Sequence, residues 1–164
     1  MIKIKFKEVD EIPKSKLVVY NNVSRIPFEM EVGDNLTSFE PQYTRYIVNQ
    51  NFIEFRFKKE DNILYNITLV SFDENSISKV DSYIDINSNK FYSCILEENL
   101  DEVQNLIEIE RGEDFIIISF SGYEKIEYYA ISKGCSIGID SNSNLVSVII
   151  SNLSNSELID IFGY

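Results

Sequence analysis

Ile2-Lys3-Ile4-Lys5-Phe6-Lys7 alternates apolar and charged residues, and Ile53-Glu54-Phe55-Arg56-Phe57-Lys58 repeats the pattern. Successive side chains of a β-strand point to opposite faces, so both stretches predict strands with one buried and one wet face. The composition agrees, because Ile occurs 25 times and Ala only once, which favours strands over helices. Further strands are predicted over residues 16–20, 26–31, 44–48, 63–71, 83–86, 91–96, 107–109, 115–120, 127–132, 136–139 and 145–150.

Polar turns between these runs predict antiparallel hairpins. Residues 58–62, 87–90 and 140–144 are polar and contain Asn, Asp or Ser, which accept left-handed backbone angles. The second and third hairpins share the pattern Ile-x-Ile-Asn/Asp-Ser-Asn, which indicates either a duplicated hairpin unit or convergence on one turn chemistry. The predicted fold class is mainly β, of the α+β type: an antiparallel meander, sandwich or half-barrel with one or two short helices.

Two short helices are predicted from capping boxes, in which a polar N-cap residue is followed three positions later by Glu. Asn99-x-x-Glu102 predicts two turns over residues 100–106, and Ser154-x-x-Glu157 predicts a helix over residues 155–162. The side chains expected to pack onto the sheet from the second helix are Leu158, Ile159 and Phe162.

The length of 164 residues suits one globular domain over residues 1–164. The first residues alternate charge and hydrophobicity instead of forming a signal peptide, and no apolar run approaches the ~18 residues of a membrane span. With only Cys94 and Cys135, a reduced cytoplasmic setting is expected. Because both cysteines lie in apolar strands, we expect them to be buried and inert.

Charge is distributed unevenly along the chain, whose net charge is −12. Residues 1–60 carry nine acids and ten bases, whereas residues 61–164 carry eighteen acids and five bases. Residues 97–127 alone hold ten acids and two bases. Such a density attracts an oppositely charged partner over long range. It disfavours nucleic acid as a direct partner.

The chain lacks the residues of the commonest enzyme sites. It has no His and no Gly-rich phosphate-binding motif, so a His-dependent triad cannot be built and nucleotide chemistry is not expected. A carboxylate pair for glycoside hydrolysis cannot be singled out among 27 acids. Asp140-x-Asn142-x-Asn144 and Asp85-x-Asn87-x-Asn89 hint at calcium loops, but hairpin turns explain both motifs. We therefore expect a protein that is not an enzyme and that uses no cofactor or metal.

The acid-dense stretch is the predicted partner-binding site, with a solvated face that keeps the protein soluble as the alternative. Tyrosines nearby would supply interface anchors; Tyr128 and Tyr129 would face opposite sides of a strand, so one of them would be core. Lys3, Lys5 and Lys7 are expected to protect a sheet edge from unwanted pairing. The candidate interface residues are Glu97, Glu98, Asp101, Glu102, Glu108, Glu110, Glu113, Asp114 and Tyr123.

A small, acidic, β-rich chain with no catalytic groups and with acids from Glu97-Glu98-Asn99-Leu100-Asp101-Glu102 through Glu108-Ile109-Glu110-Arg111-Gly112-Glu113-Asp114 resembles the immunity proteins of bacterial toxin–immunity pairs, including contact-dependent growth inhibition systems. The resemblance implies a cognate toxin, often a basic nuclease, that is silenced by occlusion of its active site or by an adjacent contact. Two alternatives stay open: a nucleic-acid mimic that acts against restriction or other defence enzymes, and an acidic structural or assembly module.

Overall fold

The computed structural model describes residues 2–20, 26–33, 40–81, 89–98, 102–103, 106–120 and 125–163. The described strands are β1 (Lys3–Val9), β2 (Ser15–Val19), β3 (Phe28–Val32), β4 (Pro41–Val48), β5 (Asn51–Lys58), β6 (Leu64–Ser71), β7 (Ile77–Lys79), β8 (Phe91–Glu98), β9 (Glu102–Val103), β10 (Glu108–Arg111), β11 (Phe115–Ser119), β12 (Glu127–Ser132), β13 (Cys135–Ile139) and β14 (Leu145–Ser151). A 3-10 turn (Glu74–Ser76) precedes β7, and helix α1 (Asn155–Phe162) follows β14. The predicted mainly-β fold is confirmed.

The strands form two six-stranded sheets and one two-stranded ribbon. The N-sheet has the order β2-β3-β6-β5-β4-β9, the C-sheet has the order β12-β13-β14-β11-β10-β7, and β1 pairs with β8 in the ribbon. Pairing is antiparallel except between β4 and β9 and between β7 and β10. A meander is therefore present only locally, in β4-β5-β6 and β12-β13-β14, because β3 lies beside β6 and β11 beside β14.

The two sheets share one core between their inner faces. At its centre the Tyr46 ring of the N-sheet stacks on Phe120, with ring centroids 4.1 Å apart, and meets Phe55 edge-on at 6.0 Å. The Tyr46 hydroxyl donates a hydrogen bond to the Leu145 carbonyl at 3.0 Å and accepts one from the Ile2 amide at 3.4 Å. This side chain therefore connects the N-sheet, the C-sheet and the chain segment leading into β1.

The β1–β8 ribbon covers one side of this core. Its apolar face carries Ile4, paired with Leu96, and both side chains are buried. Phe6 stacks on Tyr129 of the C-sheet with ring centroids 4.1 Å apart. The alternation that defines β1 thus places its apolar side chains inward and its lysines outward.

The second predicted helix is confirmed as α1. The Ser154 hydroxyl accepts a hydrogen bond from the Glu157 amide, the Glu157 carboxylate accepts one from the Ser154 amide, and Gly163 ends the helix with a φ of +81°. Leu158 and Phe162 are buried as predicted, but Ile159 is 43% exposed and Ile161 is buried instead. That expectation was wrong because residues 158, 161 and 162 form the stripe that faces the sheet. In the described residues, no helix has the length and hydrophobicity that crossing a membrane requires.

The first predicted helix, over residues 100–106, is wrong where the structure describes it. Glu102 and Val103 form β9, which pairs in parallel with Arg45 and Tyr46 of β4. A two-turn helix is marginal on its own, whereas the edge of β4 offers backbone groups that need partners. Residues 99–101 and 104–105 lie outside the described part, as do the predicted strand over 83–86 and the first half of the 87–90 turn, on which the duplicated unit depends.

Candidate partner-binding site

The acids at the end of β8 lie against the lysines of β1. Lys5 Nζ is 3.5 Å from the Glu97 carboxylate, and Lys3 Nζ is 3.8 Å from that of Glu98. All four side chains are largely exposed, so each pair contributes about 0–1 kcal/mol to stability. Their larger effect is on surface charge, because two of the candidate acids are compensated within the ribbon.

Glu108 and Glu110 share one face of β10, as the alternation predicts. Ile109 between them is fully buried on the other face, in the shared core. Across the sheet, Glu108 is paired with Ser119, and Glu110 with Ile117 of β11 and Ser78 of β7. None of these neighbours is basic, so the two carboxylates stand together on the outer face of the C-sheet without a compensating charge in the adjacent strand positions.

Glu113 and Asp114 lie in the predicted turn between β10 and β11. The Gly112 amide donates a hydrogen bond to the Phe115 carbonyl at 3.0 Å, and both acids are exposed. Glycine is required at position 112, because the Phe115 ring occupies the place of a β-carbon. The turn is at the opposite end of β10 from Glu108, about 10 Å away along the strand.

The described candidate acids therefore lie on different elements, namely the ribbon, β10 and the β10–β11 turn. The chain passes from the ribbon at Glu98, through β9 at the edge of the N-sheet, to β10 in the C-sheet. The helix of the predicted helix–hairpin segment is replaced, where the structure describes it, by pairing of Glu102 and Val103 with β4. Asp101 and Tyr123 lie outside the described residues, and Glu102 is described only as part of β9.

Tyr128 lies on the same outer face as Glu110. Its ring covers Gly138, where an added β-carbon would be 2.8 Å from Tyr128 Cε1, and its hydroxyl donates to Ser147 Oγ at 3.3 Å. Burial raises the pKa of Tyr128, and the negative charge of Glu110 raises it further. Tyr129 faces the other way and packs on the core, which confirms that the two tyrosines lie on opposite faces.

The centre of this outer face is a second apolar cluster rather than open surface. Phe115, Ile117 and Ile149 are each at most 5% exposed, with Val80 and Tyr128 packed against them. Close packing in this apolar cluster restricts movement of the adjoining strand β10. We call the outer-face positions Glu108, Glu110 and Tyr128 the acidic face.

The calcium-like motif at Asp140 is accounted for by its turn. Asp140 Oδ1 accepts hydrogen bonds from the amides of Asn142 at 2.8 Å and Asn144 at 2.9 Å, and Oδ2 accepts one from Asn144 Nδ2 at 2.8 Å. Burial alone would raise the pKa of Asp140, but these hydrogen bonds lower it overall. The carboxylate therefore organises the β13–β14 hairpin.

Thiol and metal chemistry receive no support from the described part of the chain. Cys94 and Cys135 are both buried, and burial raises the pKa of each thiol, which keeps it protonated and unreactive. Among the residues that the structure describes, no group of three or more His, Cys, Asp or Glu side chains is arranged to hold a metal ion.

A polar network that the sequence predictions missed occupies the outer face of the N-sheet. Glu54 accepts a hydrogen bond from Arg45 Nε on one carboxylate oxygen and from Arg56 Nε on the other, both at 2.8 Å. Both guanidinium groups also lie over the Tyr43 ring, at 5.2 and 5.8 Å from its centroid. We call Tyr43, Arg45, Glu54 and Arg56 the arginine cluster.

The signal for this network was present in the β4–β5 hairpin. Its connection is the two-residue turn Asn49–Gln50, in which Asn49 has a φ of +55°. A two-residue turn sets the pairing register, here Arg45 with Glu54 and Tyr43 with Arg56. Alternation placed Glu54 and Arg56 on the wet face of β5, but the hairpin register was needed to bring Tyr43 and Arg45 beside them.

In comparisons with known proteins, no family model matches this chain, and no significant match to a curated protein was found.

Proposed function

We propose that this chain is a non-enzymatic immunity protein that binds and neutralises a basic protein toxin, for which a nuclease domain is the expected form. The observation that carries the proposal is that Glu108 and Glu110 lie on the same outer face of β10, and that their cross-strand neighbours are not basic. The acids of the ribbon are compensated by lysines and contribute less. Glu113 and Asp114 extend the negative charge beyond the far end of β10.

The acidic face combines two properties that protein recognition uses. Uncompensated carboxylates on a paired strand steer a basic partner and raise the association rate by about 10- to 1,000-fold at low salt. Tyr128, which is half-buried and held by Ser147, is an aromatic group of the kind that anchors interfaces. Steering by the acids would set the association rate, and packing on the tyrosine would slow dissociation.

The positions of the described acids favour an immunity protein with one partner over a nucleic-acid mimic that binds many nucleic-acid enzymes. A mimic of nucleic acid needs carboxylates in an extended row, at spacings that resemble the phosphates of a strand. The described candidate acids instead occupy separate places on the ribbon, on β10 and in the β10–β11 turn. A single basic toxin with a matching patch is the simpler fit.

The test begins with a tagged chain used to capture partners from its native source, followed by purification of each captured protein. The proposal requires a partner that arrests growth when produced alone and is silenced when this chain is produced with it. Capture of many unrelated nucleic-acid enzymes would support the mimic instead. Capture of proteins that show no toxicity would refute the immunity function.

The site is then tested by charge reversal with a matched control. Glu108→Lys with Glu110→Lys changes the net charge by four, and Asp10→Lys with Glu11→Lys makes the same change at exposed positions after β1. We expect the first variant to slow association with the toxin by about tenfold or more at low salt, and the control to change it by less than about threefold. Equal effects of the two variants would remove the acidic face from the proposal.

A further inference from the structure

The arginine cluster has two guanidinium groups for the one carboxylate of Glu54, and Glu29 beside Arg56 balances the remaining positive charge. The side chains of Glu54 and Glu29 are only 9% and 16% exposed, whereas those of Arg45 and Arg56 are 42% and 29% exposed. The carboxylates therefore lie beneath the guanidinium groups. On a chain with a net charge of −12 and four arginines, this face shows a partner two cations and a tyrosine ring.

The guanidinium groups are held in position from several sides. Arg56 forms an ion pair with Glu54 and lies 3.7 Å from the Glu29 carboxylate. The Glu29 carboxylate in turn accepts a hydrogen bond from the Tyr20 hydroxyl at 3.0 Å. Burial alone would lower the pKa of Arg56, but the hydrogen bond and charge of Glu54 and the charge of Glu29 raise it overall. Side chains fixed in this way lose little conformational entropy when a partner binds.

The cluster also retains donors for a ligand. Both arginines donate to Glu54 through Nε, and a guanidinium group carries four further N–H bonds on its terminal nitrogens. Within the described residues, the terminal nitrogens of Arg45 have no hydrogen-bond partner. Planar, fixed N–H groups of this kind match the two oxygens of a carboxylate.

We propose that the arginine cluster is a docking site for an acidic side chain of a partner protein, with the carboxylate on the terminal nitrogens of Arg45 and Arg56 and an adjoining apolar group against Tyr43. Tyr and Arg are the residue types enriched where interfaces derive most of their affinity. A polyanion such as nucleic acid would be repelled by the negative charge on the rest of this chain. A single carboxylate is instead governed mainly by the nearby charges of Arg45 and Arg56. This surface lies on the opposite sheet from the acidic face and does not depend on the function proposed for it.

The test follows the arginine Nε–H resonances of the isotope-labelled full chain during titration with sodium acetate, with sodium chloride at equal ionic strength as the reference. We expect saturable shifts at Arg45 and Arg56 with acetate only, while Arg111, which lies over Phe162, serves as the internal control. Equal shifts with chloride, or no saturation, would overturn the proposal. Shifts with inorganic phosphate but not with acetate would also overturn the choice of a carboxylate.

A blocked peptide with a single Glu residue then stands for the acidic side chain of the partner, and its Gln counterpart is the control. Arg45→Lys with Arg56→Lys keeps the charge but removes the planar donors, so we expect at least about fivefold weaker binding of the Glu peptide. Arg45→Lys alone, at the more exposed position, provides the measurement if the double variant does not fold. Unchanged binding in a folded variant, or equal binding of the Glu and Gln peptides, would refute the site.

Discussion

The hydroxyl of Tyr46 is the most informative single group for the stability of this fold. Tyr46→Phe keeps the ring stacked on Phe120 and edge-on to Phe55 but removes the contacts to the Leu145 carbonyl and the Ile2 amide. All of these residues are buried, so the variant leaves polar backbone atoms without that partner. Such a loss costs about 1–3 kcal/mol, and the 3.4 Å contact is long for a hydrogen bond, which places the expected cost near 1.5 kcal/mol.

Urea unfolding followed by fluorescence and by circular dichroism measures this cost as a change in the free energy of unfolding. For a chain of this size the expected loss corresponds to a fall in melting temperature of about 3–6 °C. Tyr129→Phe is the matched control, because its hydroxyl contacts Glu127 at an exposed position and its removal should cost under about 0.5 kcal/mol. A Tyr46→Phe cost no greater than that of the control would refute the role given to this hydroxyl in joining the sheets.

Two further perturbations test local structure and its pH dependence. Because the pKa of Asp140 is lowered from 3.8, its stabilising effect is present above the unfolded pKa and is lost as the pH falls through the folded pKa. Asp140→Asn weakens the hydrogen bonds that the carboxylate accepts from Asn142 and Asn144 and should lower the free energy of unfolding at pH 7 by about 1 kcal/mol. A wild-type advantage that does not shrink as the pH falls below 3.8 would contradict the assignment. Ser154→Ala removes the N-cap of α1 and should cost about 1 kcal/mol in urea unfolding, whereas Ser156→Ala should cost less than half as much; equal costs would show that the cap is not the cause.

The sequence predicted individual elements where one local rule dominates. Alternation identified β1 and β5, and the Ser154-x-x-Glu157 box identified α1 with its bounds. The same box at Asn99-x-x-Glu102 was misleading, because the edge of β4 competes for Glu102 and Val103. Local propensity cannot include a partner strand that lies more than fifty residues earlier in the chain.

The candidate site was harder to predict because surface charge depends on pairing across the fold. Glu97 belongs to an acid-dense stretch in sequence, yet it lies beside Lys5, and only the β1–β8 register shows this. Glu110 had no such partner, and its shared face with Glu108 followed from alternation alone. The arginine cluster needed both alternation and the hairpin register, so counting acids along the chain directed attention away from it.

The β1–β8 ribbon has a consequence for the way a ribosome delivers this protein. Ile2 and Ile4 are fully buried in the finished fold. Their partners are synthesised much later, because Ile4 pairs with Leu96 and the carbonyl of Ile2 accepts a hydrogen bond from the amide of Leu145. At about 5–20 residues per second, synthesis of the intervening chain takes roughly 5–30 s. During that interval the apolar side chains of Ile2 and Ile4 lack the partners that bury them in the folded protein.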